Sequence, residues 1–315
     1  MARYLIRRVG TTAVTTLVLS FVVFVLVEVS SPVSVCRRIL GRFATDEQVR
    51  DCNVRLGLDH PLWDRYLTFL HHAVTLNFGV STLLSQPVMT AVVPRLERTL
   101  VLALIAFFAI MPLGIVLGTF AALRQARLTD RAVTVAGTVT TAIPEIATGI
   151  FLLTIFSGEL HLLPGAVVLL PGQSLASHPS YFVLPVLTLM LVDVGYIARI
   201  TRSSMLEVLR SNHVRTAELK GLSYRKVVRR HVLRNGMLVP VTVIAYHVNW
   251  LIGGVVIVEA VFGYPGLGQL LLQAAYERDV FVIEAGMLIL VVVALVSQML
   301  ADIAYMLLDP RVRLT

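Results

Sequence analysis

Charge is scarce in this sequence. Only 15% of its 315 residues are Asp, Glu, Lys or Arg, against about 25% in an ordinary soluble domain. With 57% hydrophobic residues, neither a soluble globular protein nor a disordered chain fits. Cysteine is scarce too. The two present are too few for a disulfide-stapled secreted domain, and their spacing matches no zinc motif. Catalytic signatures are missing as well. There is no G-x-x-x-x-G-K-[ST] loop to cradle a nucleotide, no G-x-S-x-G elbow and no H-E-x-x-H pair. His71 and His72 are adjacent, so on a helix they cannot face one metal together. No catalytic residue, metal ligand or cofactor site is therefore expected on this chain. Its basic residues, without a soluble fold, do not point to nucleic acid.

What is present is six long apolar runs, at about Val9–Val29, Thr99–Leu123, Ala132–Phe156, Tyr181–Ile200, Met237–Phe262 and Phe281–Leu308. Each can cross about 30 Å of hydrocarbon as a helix. Backbone groups in lipid must pair internally, so the expected fold is an all-α membrane protein with six transmembrane helices in the lipid bilayer. The basic residues set the orientation. Eighteen of 27 fall on one side: before span one, between spans two and three, between spans four and five, and after span six. Both termini are expected to be cytoplasmic. A basic start before an apolar run is also the form of a signal peptide, but this run is long and Val27-Glu28-Val29-Ser30-Ser31-Pro32 is not an A-x-A-like cleavage site. An uncleaved anchor is the expectation.

These spans divide the chain into an N-terminal helix (1–30), an extracytoplasmic segment (31–98), a five-helix core (99–308) with a cytoplasmic loop (204–236), and a tail (309–315). The extracytoplasmic segment has an amphipathic stretch, Pro61–Val74, with Leu62, Tyr66, Phe69 and Leu70 at helical spacing; a cap on the membrane surface is expected. Cys36 and Cys52 both fall in this segment. An oxidising compartment allows a bridge, and two free thiols are the alternative. Between Arg199 and Arg234 lie ten basic residues. Here His213–Lys220 forms a short helical run, Gly221 stops it, and Ser223 is placed to cap a second helix. Helix, glycine, helix makes an elbow able to seat in a peripheral protein. A solvated basic loop against anionic lipid is the plainer reading. It leaves the glycine break and the apolar Ala217, Leu219, Val227, Val228 and Leu233 without a role.

The pattern Arg215-Thr216-Ala217, Gly221-Leu222-Ser223, Arg230-His231 and Leu233-Arg234-Asn235 resembles the coupling loop of ABC-transporter permeases. It is similar in particular to the B-type subunit of oligopeptide, dipeptide and nickel importers. Further blocks keep the same order along nearly the whole chain: RYLIRRV at the start, PLWDRYLTFLHHAVTLNFGVS, GIVLGTFAALRQARLTDRAV, ARITRSSMLEVL, GGVVIVEAVFGYPGLGQLL and the terminal LLDPRVR. The resemblance implies a type I importer permease in the bacterial plasma membrane, forming half of a path for oligopeptides or dipeptides. It implies a paralogous permease subunit as heterodimer partner, two ATPase subunits that carry ATP and Mg, and an extracytoplasmic substrate-binding protein. Arg215, Thr216, Ala217, Glu218, Leu219, Lys220 and Gly221 would then dock the ATPase.

Polar residues inside spans are expensive and mark candidate pathways. Glu145, Asp193, His247 and Asn249 lie deepest. They either line the translocation path or hold helices together, as a pair between Asp193 and His247 would. Glu145 follows Ile143-Pro144 where the family carries small or aromatic residues, Asp193 stands where it is apolar, and Glu28 is also atypical. Facing the path, Glu145 and Asp193 would favour a cationic group such as a peptide amino terminus. Glu28, Glu259 and Glu284, near the outer ends, are expected to meet water. Asp302 is expected to make a structural hydrogen bond or serve transport. Gly263–Gly268 is read as a tight outer turn, either a plain loop or a dock for the external binding protein. Two other readings remain: a proton-coupled secondary transporter using Glu145 and Asp193, or an ABC permease for nickel, haem or another non-peptide solute.

Overall fold

The computed structural model describes residues 2–30, 36–37, 40–41, 43–55, 57–168 and 175–308. The tail 309–315, with Arg311 and Arg313, lies outside them. The described helices are α1 (Ala2–Ser30), α2 (Asp46–Arg55), α3 (Leu62–Thr75), α4 (Val88–Leu123), α5 (Leu128–Ala142), α6 (Glu145–Leu152, prolonged by a π-type stretch Leu153–Glu159) and α7 (Ser180–Leu209). There follow α8 (Asn212–Leu219), α9 (Tyr224–Val227), a π-type turn Val228–Val232, α10 (Leu233–Gly236), α11 (Leu238–Phe262), α12 (Leu267–Glu277) and α13 (Val280–Leu308). Five of these, α1, α4, α7, α11 and α13, contain stretches long and apolar enough to cross a membrane.

The sixth expected span falls on α5 and α6, which are long and apolar enough to cross a membrane only when taken together, and the structure corrects the expectation of one continuous helix over Ala132–Phe156: the two parts bend by 100°. Pro144 is the cause. It has no N–H to donate, and its ring drives the preceding residue out of the helical region. Ile143 is accordingly extended, with φ −88° and ψ 127°. The next helix starts at once, with the Thr148 N–H donating to the Pro144 carbonyl at 3.0 Å. Other spans are longer than their apolar runs. α4 starts at Val88 and α7 continues to Leu209, because helix propensity does not end where hydrocarbon does.

The chain forms two compact units, one of residues 1–98 and 265–296, the other of 99–264 and 297–315. In the first, Tyr66 and Phe69 of α3 are buried against Phe24 of α1, with Leu270, Ala274 and Val282 in the same core. The Tyr66 hydroxyl donates to the Leu17 carbonyl at 3.0 Å and lies 2.9 Å from Ser20 Oγ. The amphipathic face of α3 therefore docks on protein. Leu62, expected on that face, is instead exposed. Glu28, expected to meet water, is paired with Arg65. Asp279 is fully buried and accepts hydrogen bonds from Ser81 Oγ (2.6 Å) and the Leu83 N–H (2.9 Å). Cys36 and Cys52 are joined in a disulfide, with Cα atoms 5.7 Å apart.

In the second unit, Leu102, Ala106 and Ile110 of α4 share a core with Leu184, Leu189 and Ile197 of α7 and Leu251, Val255 and Phe262 of α11. Lipid is as apolar as these side chains, so close packing and interhelical hydrogen bonds bind the helices rather than release of water. Gly137 and Gly195 let α5 and α7 touch backbone to backbone: a Cβ on Gly137 would lie 3.0 Å from Gly195 Cα. Glu259 is another correction. It is fully buried and accepts a hydrogen bond from Thr99 Oγ1 at 2.6 Å. Asp302 accepts from the Tyr246 hydroxyl at 3.1 Å, a structural bond.

Candidate functional site

Two features of the second unit combine polar or basic groups with a built geometry. The first is the elbow. Val214 and Ala217 of α8, Val227 of α9 and Val232 are buried with Met205 and Leu206 of α7 in a small separate core. The elbow is thus folded onto the end of α7. α8 ends in a left-handed turn: Gly221 has φ +77°, the Gly221 N–H donates to the Glu218 carbonyl at 2.9 Å and the Leu222 N–H to that of Ala217 at 3.3 Å. Ser223 occupies the position before α9, but its side chain makes no capping bond.

This geometry sorts the expected docking residues. Arg215, Thr216, Glu218, Leu219, Lys220 and Gly221 are exposed. Ala217 faces the elbow's own core at 4% exposure, where it supports the exposed tip. Leu219 is 81% exposed and Tyr224, across the glycine turn, 57%. Two large apolar side chains thus flank Gly221 on the surface. Tyr224 was not singled out from sequence, although an aromatic residue three positions after the glycine stands there.

The base of the elbow is fixed by a contact that sequence reasoning missed. Arg202 on α7 forms an ion pair with the buried Asp130 of α5, in which Nη2 donates to Oδ2 at 2.9 Å. Asp130 Oδ2 also accepts from the Ala126 N–H at 2.9 Å. Fork geometry and a second donor make this the kind of buried pair that holds a geometry. It ties the α4–α5 turn to the helix that carries the elbow.

The second feature is a polar cluster inside the spans. His247 Nε2 lies 3.0 Å from Asp193 Oδ1, both side chains being buried. The Tyr196 ring stacks on the imidazole at 5.2 Å with an interplanar angle of 22°. Asp193, Tyr196, Arg199, His247 and Trp250 line a cavity of about 630 Å³. Arg199 donates to Thr141 Oγ1 at 3.2 Å. The second carboxylate oxygen of Asp193 is buried without a hydrogen-bond partner among the described residues. The pair between Asp193 and His247 is present, and both residues also line this cavity.

Glu145 starts α6 directly after the Pro144 break and lies within electrostatic reach of Asp193 and His247. A Cβ on Gly254 would sit 3.0 Å from its Oε1. It is a neighbour of the cavity, not part of its wall. Asn249 is not brought into the cluster. It donates to Gln298 Oε1 at 2.5 Å. Two helix residues correspond to about 200° of rotation, so His247 and Asn249 face nearly opposite ways. Chemically, the cluster offers carboxylate oxygens and an imidazole to a hydrogen-bond donor or cation.

Known proteins are similar along the whole chain. The family model described as "Binding-protein-dependent transport system inner membrane component" matches residues 114–314, and the model of its N-terminal part matches residues 1–103. A relative named as a peptide transport system permease protein in Brucella abortus (strain 2308) is 35% identical over 99% of each chain. A glutathione transport system permease protein of Shigella flexneri (serotype 5b, strain 8401) is 32% identical, again over 99% of both. The structure of the MetNI methionine ABC transporter in inward-facing conformations shares the fold at a TM-score of 0.57 and 17% identity, over 70% of this chain and 97% of that one.

Proposed function

We propose, from the premise that this chain belongs to the family of binding-protein-dependent transport system inner membrane components, that it forms half of the translocation path for oligopeptides or dipeptides in an ATP-driven importer. As a member it is a multi-pass permease subunit of the bacterial inner membrane. The family works with ATPase and substrate-binding subunits in general. For this chain the reading is a heterodimer with a paralogous permease, two ATPase subunits holding ATP and Mg, and an extracytoplasmic binding protein. The chain itself holds no cofactor, and both termini are cytoplasmic. Peptides are favoured over nickel, haem or another solute because the Brucella relative, similar over nearly its whole length, bears a peptide transporter's name.

The elbow is the lever. An ATPase dimer can shift a permease between inward- and outward-open states only if it binds the two differently. The observation that carries this role is the exposed tip around Gly221, built on its own core and braced through Arg202 and Asp130. A moving ATPase that grips Leu219, Lys220 and Tyr224 would tilt α7 and α11 together. In the path, Asp193, His247 and the neighbouring Glu145 favour a positively charged part of the substrate. The test is co-purification of the tagged chain followed by uptake measurements. ATPase subunits should come down with it, and uptake should need ATP. A proton-coupled carrier would come down alone and lose uptake with the pH gradient.

A further inference from the structure

Between α4, α5 and α7 the second unit has a groove of about 420 Å³ that no transport step described above uses. Gly137 and Gly195, where α5 and α7 touch backbone to backbone, put no side chain into it. Leu113 and Leu117 of α4 and Met190 and Leu191 of α7 supply larger apolar groups. Among the described residues that line it, Thr140 alone has a polar side chain. From Leu187 to Ala198 the groove follows α7 for about 16 Å. That is about half of a 30 Å hydrocarbon core, the depth of one leaflet and so the reach of one lipid tail.

One end of the groove carries charge. The turn from α4 to α5 sets Arg124, Arg127 and Arg131 around one recess, all three exposed. Leu128, in that recess, stands one helical turn before Ala132 in the groove. The Arg124 guanidinium lies 4.1 Å over the Phe120 ring, a contact that leaves its charge in place. Asp130 is the only carboxylate between Glu97 and Glu145. Arg131 is within its electrostatic reach, but Arg202 holds it in a direct ion pair. The turn thus keeps three positive charges without an ion-pair partner among the described residues. The groove alone selects nothing, because lipid tails are as apolar as its lining. Three arginines beside it select an anionic headgroup, and guanidinium groups hold phosphate by paired hydrogen bonds. We propose that the groove and the α4–α5 turn form a binding site for one anionic phospholipid, with its phosphate among Arg124, Arg127 and Arg131 and one tail along α5 and α7. Free phosphate could use only the turn, and a zwitterionic lipid only the groove. Asp130 ties this turn to α7 through Arg202, so the lipid braces the helix that carries the elbow. Binding here needs neither ATP nor substrate, and it stands apart from the transport reading.

The test takes the full chain, stripped of lipid in detergent with the subunits that accompany it. It is given equal amounts of dioleoyl phosphatidylglycerol and dioleoyl phosphatidylcholine. Lipid kept through gel filtration is then counted by mass spectrometry. The unmodified protein should keep phosphatidylglycerol over phosphatidylcholine by about tenfold or more. Arg127→Gln should weaken retention of phosphatidylglycerol about fivefold, the worth of one arginine beside an anionic lipid. Exchanging Arg124, Arg127 and Arg131 together for glutamine should bring the two lipids level. Ala136→Phe fills the groove, leaves the arginines in place and should weaken both lipids. Inorganic phosphate should displace no more phosphatidylglycerol than chloride at equal ionic strength. Equal retention of the two lipids by the unmodified protein, as a second subunit seated in the groove would produce, would overturn the proposal. So would displacement specific to phosphate, or phosphatidylglycerol retention unchanged in Arg127→Gln or in Ala136→Phe. If the triple variant does not insert, the two single variants still decide. Either result leaves ATP-driven uptake to be judged by its own assay.

Discussion

Replacing Gly221 by valine should separate ATP hydrolysis from uptake. Gly221 holds φ +77°, where an L-residue costs about 1–2 kcal/mol. A β-branched residue is at the unfavourable end, because its branched Cβ restricts the backbone further. A Cβ built on Gly221 meets no heavy atom within 4 Å. The penalty is therefore conformational and confined to the turn, and the small core behind it, Val214, Ala217 and Val227, is untouched. One to two kcal/mol corresponds to about a 5- to 30-fold fall in the ratio of the native turn to its alternatives. Uptake per ATP hydrolysed should fall by up to that factor in the reconstituted transporter, with membrane insertion unchanged. Gly221→Asn should keep most of the coupling, since asparagine tolerates the left-handed region. Unchanged uptake per ATP in Gly221→Val would refute the lever.

Three further outcomes are expected. Arg202→Ala leaves Asp130 with only its Ala126 N–H bond and should destabilise the protein by about 1–3 kcal/mol, seen as a lowered midpoint in thermal unfolding; the double variant Asp130→Asn with Arg202→Gln should recover part of it. Glu145→Gln should reduce uptake of basic peptides in a competition assay while acidic peptides are little affected, and equal loss of both would show that Glu145 does not select charge. Peptide mapping without reductant should recover Cys36 and Cys52 in one linked fragment; replacing both with serine should cost about 3 kcal/mol by loop entropy over their 16-residue separation, read as loss of protection of residues 43–55 in proteolysis.

The spans were legible because a bilayer demands long apolar helices, and the glycine turn because few residues take its backbone angles. The break in the third span was legible too. Ile143-Pro144 stands in the sequence with a known effect on a helix, but an apolar run on both sides masks it. The spacing of Val214 and Ala217 puts both on one face, which already turns Ala217 inward. What local pattern does not carry is long-range polar pairing. Glu259 and Thr99 are 160 residues apart, and Arg202 and Asp130 are 72. Each residue alone reads as a polar group near a span end. Only the packing of α4 and α5 against their neighbours makes them partners. The cluster of Asp193 with His247 is intermediate: depth in the spans suggested the pair, whereas Tyr196 and Arg199 joined it only through the turn of α7.

The central claim is that this permease moves peptides by way of an external motor gripping its elbow. The most direct measurement is uptake of a labelled dipeptide by vesicles holding the chain with its co-purified partners. Uptake should require hydrolysable ATP and persist when the pH gradient is collapsed. Uptake that ignores ATP and stops with the gradient would contradict the account.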